Sequence, residues 1–99
     1  MEIKQTSKEL LSQVHFFRFV YKLVQRIKKY IEEDNEAKNL LMESMVKLLI
    51  FLMQGIKNLR VLTSEKRKAY GGSEDFSKIR KIVEQYELKY EREMQISHR

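Results

Sequence analysis

Helix-breaking residues are almost absent from this chain. Its 99 residues include no proline, and its three glycines stand at positions 55, 71 and 72. Proline and glycine are the residues that most strongly interrupt regular structure. Long stretches of this chain therefore contain no residue that would end a helix. Apolar side chains recur at intervals of three and four residues, which indicates amphipathic α-helices. We therefore expect an all-α protein.

The apolar pattern divides the chain into three predicted helices. The first begins near Thr6, where Thr6 and Glu9 have the spacing of a capping box, and ends at about residue 33, before Asp34 and Asn35. The second runs from about residue 36 to either residue 62 or residue 70, and the third from about residue 74 to residue 96. Long helices joined by short turns predict one helical domain, residues 1–99, folded as an elongated three-helix, up-down-up bundle.

The apolar faces of the helices predict a small core that depends on association. On helix 1 the predicted core face contains Phe16, Val20, Leu23, Val24, Ile27 and Ile31, and Phe17 is assigned to the core as well. Helix 2 is apolar around most of its circumference between residues 40 and 62, so we expect it to be the central helix. A chain of this size buries a modest fraction of its surface. We therefore expect the bundle to be oligomeric.

Two groups of side chains are the predicted contacts with a second copy or with a protein partner. The first group is the methionines of helix 2, because methionine adapts to irregular interfaces. The second is a short coiled-coil seam on helix 3, where apolar residues alternate at spacings of three and four. The predicted interface residues are Met42, Met45, Met53, Phe76, Ile79, Val83, Tyr86 and Tyr90.

The positive charge of the chain is concentrated in two segments. The net charge is +6, from 20 Lys and Arg against 14 Asp and Glu. Residues 8–29 and residues 57–81 each carry a net +5, whereas residues 30–56 carry −3. The first segment places Arg18, Lys22, Arg26 and Lys29 in a row on one helical face, and the second contains Lys66, Arg67 and Lys68. These residues are the candidates for binding nucleic acid or another anion; the alternative is that they form an ordinary solvated face.

Residues that support catalysis or metal binding are scarce. The absence of cysteine excludes disulfides and thiolate metal sites, and neither of the two histidines has a neighbour at metal-ligand spacing. There is no glycine-rich phosphate loop. The longest apolar stretch, residues 40–53, is shorter than the roughly 20 residues that a membrane span needs. We expect no catalytic residue, metal, cofactor or small-molecule substrate, no membrane partner and a cytoplasmic location.

One short motif points to a different class of protein. Arg92 and His98 are separated by five residues, and this spacing resembles the Arg-x(4–6)-His signature of HEPN-type helical ribonucleases. The resemblance implies that the pair would act on the scissile phosphate of RNA. It covers seven residues, and no other part of the chain matches that family. The sequence as a whole favours a non-enzymatic interaction or oligomerisation protein, as a subunit or accessory factor of a complex, with a basic nucleic-acid-binding accessory protein as the alternative.

Overall fold

Three long helices, each antiparallel to the next along the chain, form almost all of the described structure. The computed structural model describes residues 2–33, 36 and 38–97. Helix α1 spans Glu2–Glu33, α2 spans Lys38–Ala69 and α3 spans Glu74–Ser97. The bundle measures 53 × 22 × 15 Å along its principal axes, so it is elongated as predicted. The all-α, three-helix prediction is confirmed.

Helix α1 starts one turn earlier than the sequence predicts. The helix already includes Glu2, so Thr6 lies inside it and does not cap it. The hydroxyl of Ser7 donates to the carbonyl of Lys4 at 3.1 Å, which is the way hydroxyl side chains bond within a helix. No helix-breaking residue precedes Thr6, and Ile3 packs against the core. The apolar contact of Ile3 therefore extends the helix past the capping-box sequence.

Helix α2 follows the longer of its two predicted lengths and ends in a glycine cap. The amide of Gly72 donates to the carbonyl of Arg67 at 2.7 Å, and the amide of Gly71 donates to the carbonyl of Lys68 at 3.2 Å. This pair of bonds is the Schellman motif. Both glycines have positive φ, 70° and 79°, which side chains with a Cβ rarely adopt. The cap fixes the direction in which the chain enters α3.

The core lies along α2, which packs extensively against both other helices, whereas α1 and α3 contact each other less. Its buried apolar side chains come from all three helices: Leu10, Val14, Phe17, Val20, Tyr21, Val24, Met45, Leu49, Leu52, Ile56, Leu59, Phe76, Ile79, Val83 and Tyr90. Thr63 is also buried, and its hydroxyl donates to the carbonyl of Leu59 at 2.7 Å. The position of α2 between its neighbours confirms it as the central helix.

The buried face of α1 is rotated from the predicted one. Phe17 is buried as expected, but Phe16 is 52% exposed and Leu23 is 37% exposed. The cause is the surface of α2: Phe17 fits against Gly55, where the missing side chain leaves room for its ring. Helix α1 has two neighbouring apolar stripes, and this contact selects the one that contains Phe17. The other stripe is left on the outside of the bundle.

Candidate interaction surface

The exposed stripe of α1 forms an apolar surface together with α2. Phe16 lies against Phe51 of α2 with ring centroids 6.3 Å apart and the rings nearly perpendicular. Phe17 lies beneath this pair, 5.7 Å from Phe16 and 6.0 Å from Phe51. Edge-to-face geometry of this kind is favourable for aromatic rings. Although the three rings hold one another in place, Phe16 and Phe51 remain 52% and 47% exposed.

The surface continues along α1 towards the loop that joins it to α2. Phe19 is 60% exposed and Tyr30 is 65% exposed. With Phe16 and Leu23 they stand at positions 16, 19, 23 and 30, which fall on one side of a helix. Fourteen residues of helix from Phe16 to Tyr30 span about 21 Å.

Leu40 of α2 lies at the loop end of the same surface. It is 76% exposed, the highest value among the exposed large apolar side chains of the described chain. The helices run antiparallel, with Phe16 beside Phe51 and Phe17 against Gly55. A step of 14 residues along α1 therefore reaches about the level of residues 37–42 of α2, which includes Leu40. We call this surface the aromatic face; it comprises Phe16, Phe19, Leu23, Tyr30, Leu40 and Phe51.

The four predicted basic residues of α1 border the aromatic face. Arg18, Lys22, Arg26 and Lys29 are all exposed, and none of them forms a salt bridge within the described part of the chain. In helical projection they follow the aromatic face along its outer side, away from α2. We refer to them as the basic row. The structure thus brings the predicted row together on one exposed surface, beside apolar residues that the sequence assigned to the core.

Carboxylates gather at the loop end of the bundle. Glu32 and Glu33 end α1, and both are exposed. Glu43, one turn into α2, forms an exposed salt bridge with Lys47 at 3.2 Å. Lys29 of the basic row and Lys38 at the start of α2 are exposed at the same end, so this end of the bundle carries charges of both signs.

The second predicted basic region lies at the other end of α2. Lys68 is exposed, whereas Lys66 and Arg67 are half-buried. Arg67 lines an open groove of about 270 Å³ between α2 and α3, together with Ser77, Arg80, Lys81 and Glu84. The structure therefore separates Arg67 from its two neighbours, since they do not line this groove. It also adds Arg80 and Lys81 of α3, two cations outside the predicted binding residues.

Most of the predicted interface residues are covered within the chain. Met45, Phe76, Ile79, Val83 and Tyr90 are at most 6% exposed. Met42, Met53 and Tyr86 are half-buried, and Met53 and Tyr86 pack against the core. The seam of α3 is covered inside the bundle, where α3 packs mainly on the central helix α2, and its contact with another chain stays a prediction. The surplus apolar surface is the aromatic face instead.

A polar cluster that sequence reasoning missed joins α1 to α3. The hydroxyl of Tyr21 donates to Glu93 at 3.1 Å, and the ammonium of Lys28 lies 3.4 Å from the same carboxylate. The ammonium of Lys89 lies 4.9 Å from the centre of the Tyr21 ring, in cation–π geometry. Burial, and secondarily the charge of Glu93, raise the pKa of Tyr21 to about 12. Such a buried tyrosine–carboxylate contact stabilises the packing of α1 on α3.

Tyr90 lies beside this cluster and is completely buried. Its hydroxyl donates to the backbone carbonyl of Phe17 at 3.2 Å, and its ring lies 5.1 Å from that of Tyr21. Burial raises the pKa of Tyr90, and the neighbouring Tyr86 and Tyr21 raise it further. The hydroxyl of Tyr90 thus has a hydrogen-bond partner inside the bundle, and the ring is part of the core and not of an exposed site.

The candidate ribonuclease pair is not brought into a described site. Arg92 is exposed on α3, and His98 lies outside the described residues. No group of three or more metal-binding side chains occurs among the described residues. The pair of Arg92 and His98 therefore stays a resemblance in sequence.

Helix α2 is long and apolar enough to cross a membrane by length and composition. An 18-residue window within Lys38–Ala69 has a mean hydropathy of 1.4, and 22% of that window is buried inside the bundle. The core helix of a bundle has the same composition, and six side chains of α2 are buried against α1 and α3. The rest of the stretch is divided between half-buried side chains such as Leu48 and Met53, which pack against the core, and exposed ones such as Ile50 and Phe51.

Comparisons with known proteins give no match. No protein-family model matches the chain, and neither a curated protein nor a solved structure matches it. Proposals about function therefore start from the residues described above.

Proposed function

We propose that this protein is a non-enzymatic helical-bundle interaction protein whose aromatic face binds a second copy of the chain. The observation that carries the proposal is the exposure of six large apolar side chains on one side of the α1–α2 pair, from 37% for Leu23 to 76% for Leu40. A monomeric protein would leave this surface in water, whereas association would bury it.

The size of the aromatic face supports an interface rather than scattered surface residues. An aromatic side chain buries about 150–250 Å² when it is covered completely. Four half-exposed aromatic rings therefore leave on the order of 400 Å² uncovered, before Leu23 and Leu40 are counted. A standard interface buries about 800 Å² on each partner, with an apolar centre and a polar rim. The aromatic face would be that centre, and the basic row and the carboxylates would be part of the rim.

Two copies of the chain can meet through the aromatic face in an antiparallel arrangement. A two-fold axis near the middle of the face, at the level of Leu23, places Phe16 of one copy at the level of Tyr30 of the other. The basic row is centred near the same level, so it borders the interface on both copies.

The solution mass of the protein tests this proposal. We expect sedimentation equilibrium to give twice the chain mass of 12.0 kDa for the wild type. Phe19→Glu should shift the mass to that of one chain, because it places a carboxylate at the centre of the interface. The matched control is Leu88→Glu on α3, since Leu88 is 57% exposed and Phe19 is 60% exposed. This control should remain a dimer.

Two results would contradict the proposed dimer. One is a wild-type protein that stays at 12.0 kDa up to high micromolar concentration. The other is a dimer that Phe19→Glu and Leu88→Glu weaken equally. If a monomeric wild type floats with anionic lipid vesicles and Phe19→Glu does not, the aromatic face binds a membrane and the self-association proposal is rejected.

The basic row supports a second candidate function, nucleic-acid binding. Its four cations are exposed and have no salt bridge in the described structure, so they are available to phosphates. Binding through phosphates weakens steeply as salt is raised. Charge reversal at Lys22 and Arg26 should then abolish binding to an oligonucleotide at about 50 mM salt, while the helical circular dichroism signal is unchanged. Absence of wild-type binding at that salt concentration, or binding that survives the double change, would reject this function.

A further inference from the structure

The groove between the C-terminal end of α2 and the first turns of α3 has the composition of an anion site. Its lining residues are Arg67, Ser77, Arg80, Lys81 and Glu84, with three positive charges and one negative charge. Its volume of about 270 Å³ lies below the range of pockets that hold drug-sized ligands. The groove is open to solvent, so a small charged group can enter without a change in the helices.

Arg67 is held in this groove with unused hydrogen-bonding capacity. Its Nε atom is buried and has no hydrogen-bond partner among the described residues. Because a buried donor without a partner is costly, native structures rarely leave one. The backbone of Arg67 is fixed, since its carbonyl accepts the 2.7 Å bond from Gly72 in the glycine cap. The side chain of Arg67 therefore extends into the groove from a fixed point on the backbone.

The acidic residues near the groove do not neutralise it. Nε of Arg80 donates to Glu84 at 3.0 Å, and the two terminal nitrogens of Arg80 carry further donors. Glu74 pairs with Lys78 at 3.6 Å, and Asp75 lines a separate depression between α1 and α3. The hydroxyl of Ser77 donates to the carbonyl of Ser73 at 3.3 Å, so it contributes to the wall of the groove. Arg67, Arg80 and Lys81 remain as the ligands.

We propose that Arg67, Arg80 and Lys81 bind a phosphate group in the groove between α2 and α3. Two guanidinium groups suit a tetrahedral oxyanion, because each can donate two parallel hydrogen bonds to a pair of its oxygens. The site is at the opposite end of α2 from Leu40, so it is independent of the aromatic face and of self-association. Inorganic phosphate and a phosphate monoester are two sources of the same chemistry.

Isothermal titration with inorganic phosphate at constant ionic strength tests the site. The wild type should bind one phosphate per chain in a saturable manner, and Arg67→Gln should weaken binding by about tenfold or more. The matched control is Lys68→Gln, which removes the same charge from the neighbouring exposed position and should change affinity by less than about twofold. Arg67→Lys should fall between them, because it keeps the charge and loses the planar fork.

A lack of saturation by phosphate would overturn the proposal. Equal weakening of phosphate binding by Arg67→Gln and Lys68→Gln would also overturn it, because that result would indicate only general attraction by the basic surface.

Titration with a nucleoside monophosphate distinguishes inorganic phosphate from a phosphate monoester as the ligand. Tighter binding than inorganic phosphate, with the same dependence on Arg67, supports the site and identifies a phosphate monoester as its ligand. Phe19→Glu, the variant designed to be monomeric, should bind phosphate like the wild type, so failure of self-association and failure of this site are distinguishable.

Discussion

The ring of Phe17 occupies the space that a side chain at position 55 would need. A Cβ placed on Gly55 would overlap the outer atoms of this ring. Phe17 is 8% exposed and belongs to the core, so the ring has little room to move away. This contact sets the rotation of α1 on α2. By doing so, it turns Phe16 outwards into the aromatic face.

Gly55→Ala should therefore destabilise the protein although alanine is the better helix former. Alanine gains about 1 kcal/mol in helix propensity, but overpacking a core contact costs about 1–3 kcal/mol. We expect a net loss in the free energy of unfolding, measured by urea titration. The control is Asn58→Ala at an exposed position of α2, which should be neutral or stabilising. Adding Phe17→Leu to Gly55→Ala should recover part of the loss; strictly additive effects would contradict the contact.

The glycine cap of α2 makes a second prediction about stability. Gly71 and Gly72 have φ of 70° and 79°, and a Cβ added at either position would meet no heavy atom within 4 Å. An alanine at either position would be strained by its backbone alone, at a cost of about 1 kcal/mol. Gly71→Asn should cost less, because asparagine tolerates the left-handed region. If alanine and asparagine at position 71 gave equal stability in urea unfolding, the left-handed cap would be disproved.

The pKa of Tyr21 predicts a loss of stability at alkaline pH. Folding raises this pKa from 10.0 to about 12, so folding favours the neutral phenol. The contribution of the neutral Tyr21 phenol to the free energy of unfolding is complete below pH 10. It is lost as the pH rises from about 10 to 12. Tyr21→Phe should lower the free energy of unfolding by about 0.5–1.5 kcal/mol at neutral pH, through loss of the bond to Glu93. The difference between wild type and variant should shrink above about pH 10.

Urea unfolding across this alkaline range measures that difference directly. Alkaline effects elsewhere in the chain are common to both proteins and largely cancel. A difference that stays constant from neutral pH to about pH 11 would show that the Tyr21 hydroxyl is not buried beside Glu93.

The helices could be predicted from sequence because their causes are local. The absence of breakers fixes long helices, and Gly71 ends α2 through a cap that depends on adjacent residues. The start of α1 was mispredicted for a related reason: the capping-box spacing at Thr6 is local, but the contact of Ile3 with the core is not. A helical projection contains no information about contacts between helices.

The functional surfaces could be predicted only in part for the same reason. The basic row is a property of one helix, so the spacing of Arg18 and Lys22 reveals it. The outward turn of Phe16 depends on Gly55, which lies on a different helix and 38 positions away in sequence (55 − 17 = 38). The bond between Tyr21 and Glu93 joins residues 72 positions apart. The proposed phosphate site likewise requires Arg80 of α3 to lie beside Arg67 of α2. No pattern within a single helix indicates that these two residues are close.

Cross-linking of single cysteines tests the meeting of two aromatic faces most directly, and the chain has no native cysteine to interfere. An antiparallel dimer that pairs position 16 with position 30 has its two-fold axis at position 23, so Leu23→Cys places two thiols close together. We predict that Leu23→Cys forms a reducible cross-linked dimer of twice 12.0 kDa under mild oxidation, whereas Leu88→Cys on α3 stays a single chain. Equal cross-linking of the two variants, or none with Leu23→Cys, would contradict the proposed interface.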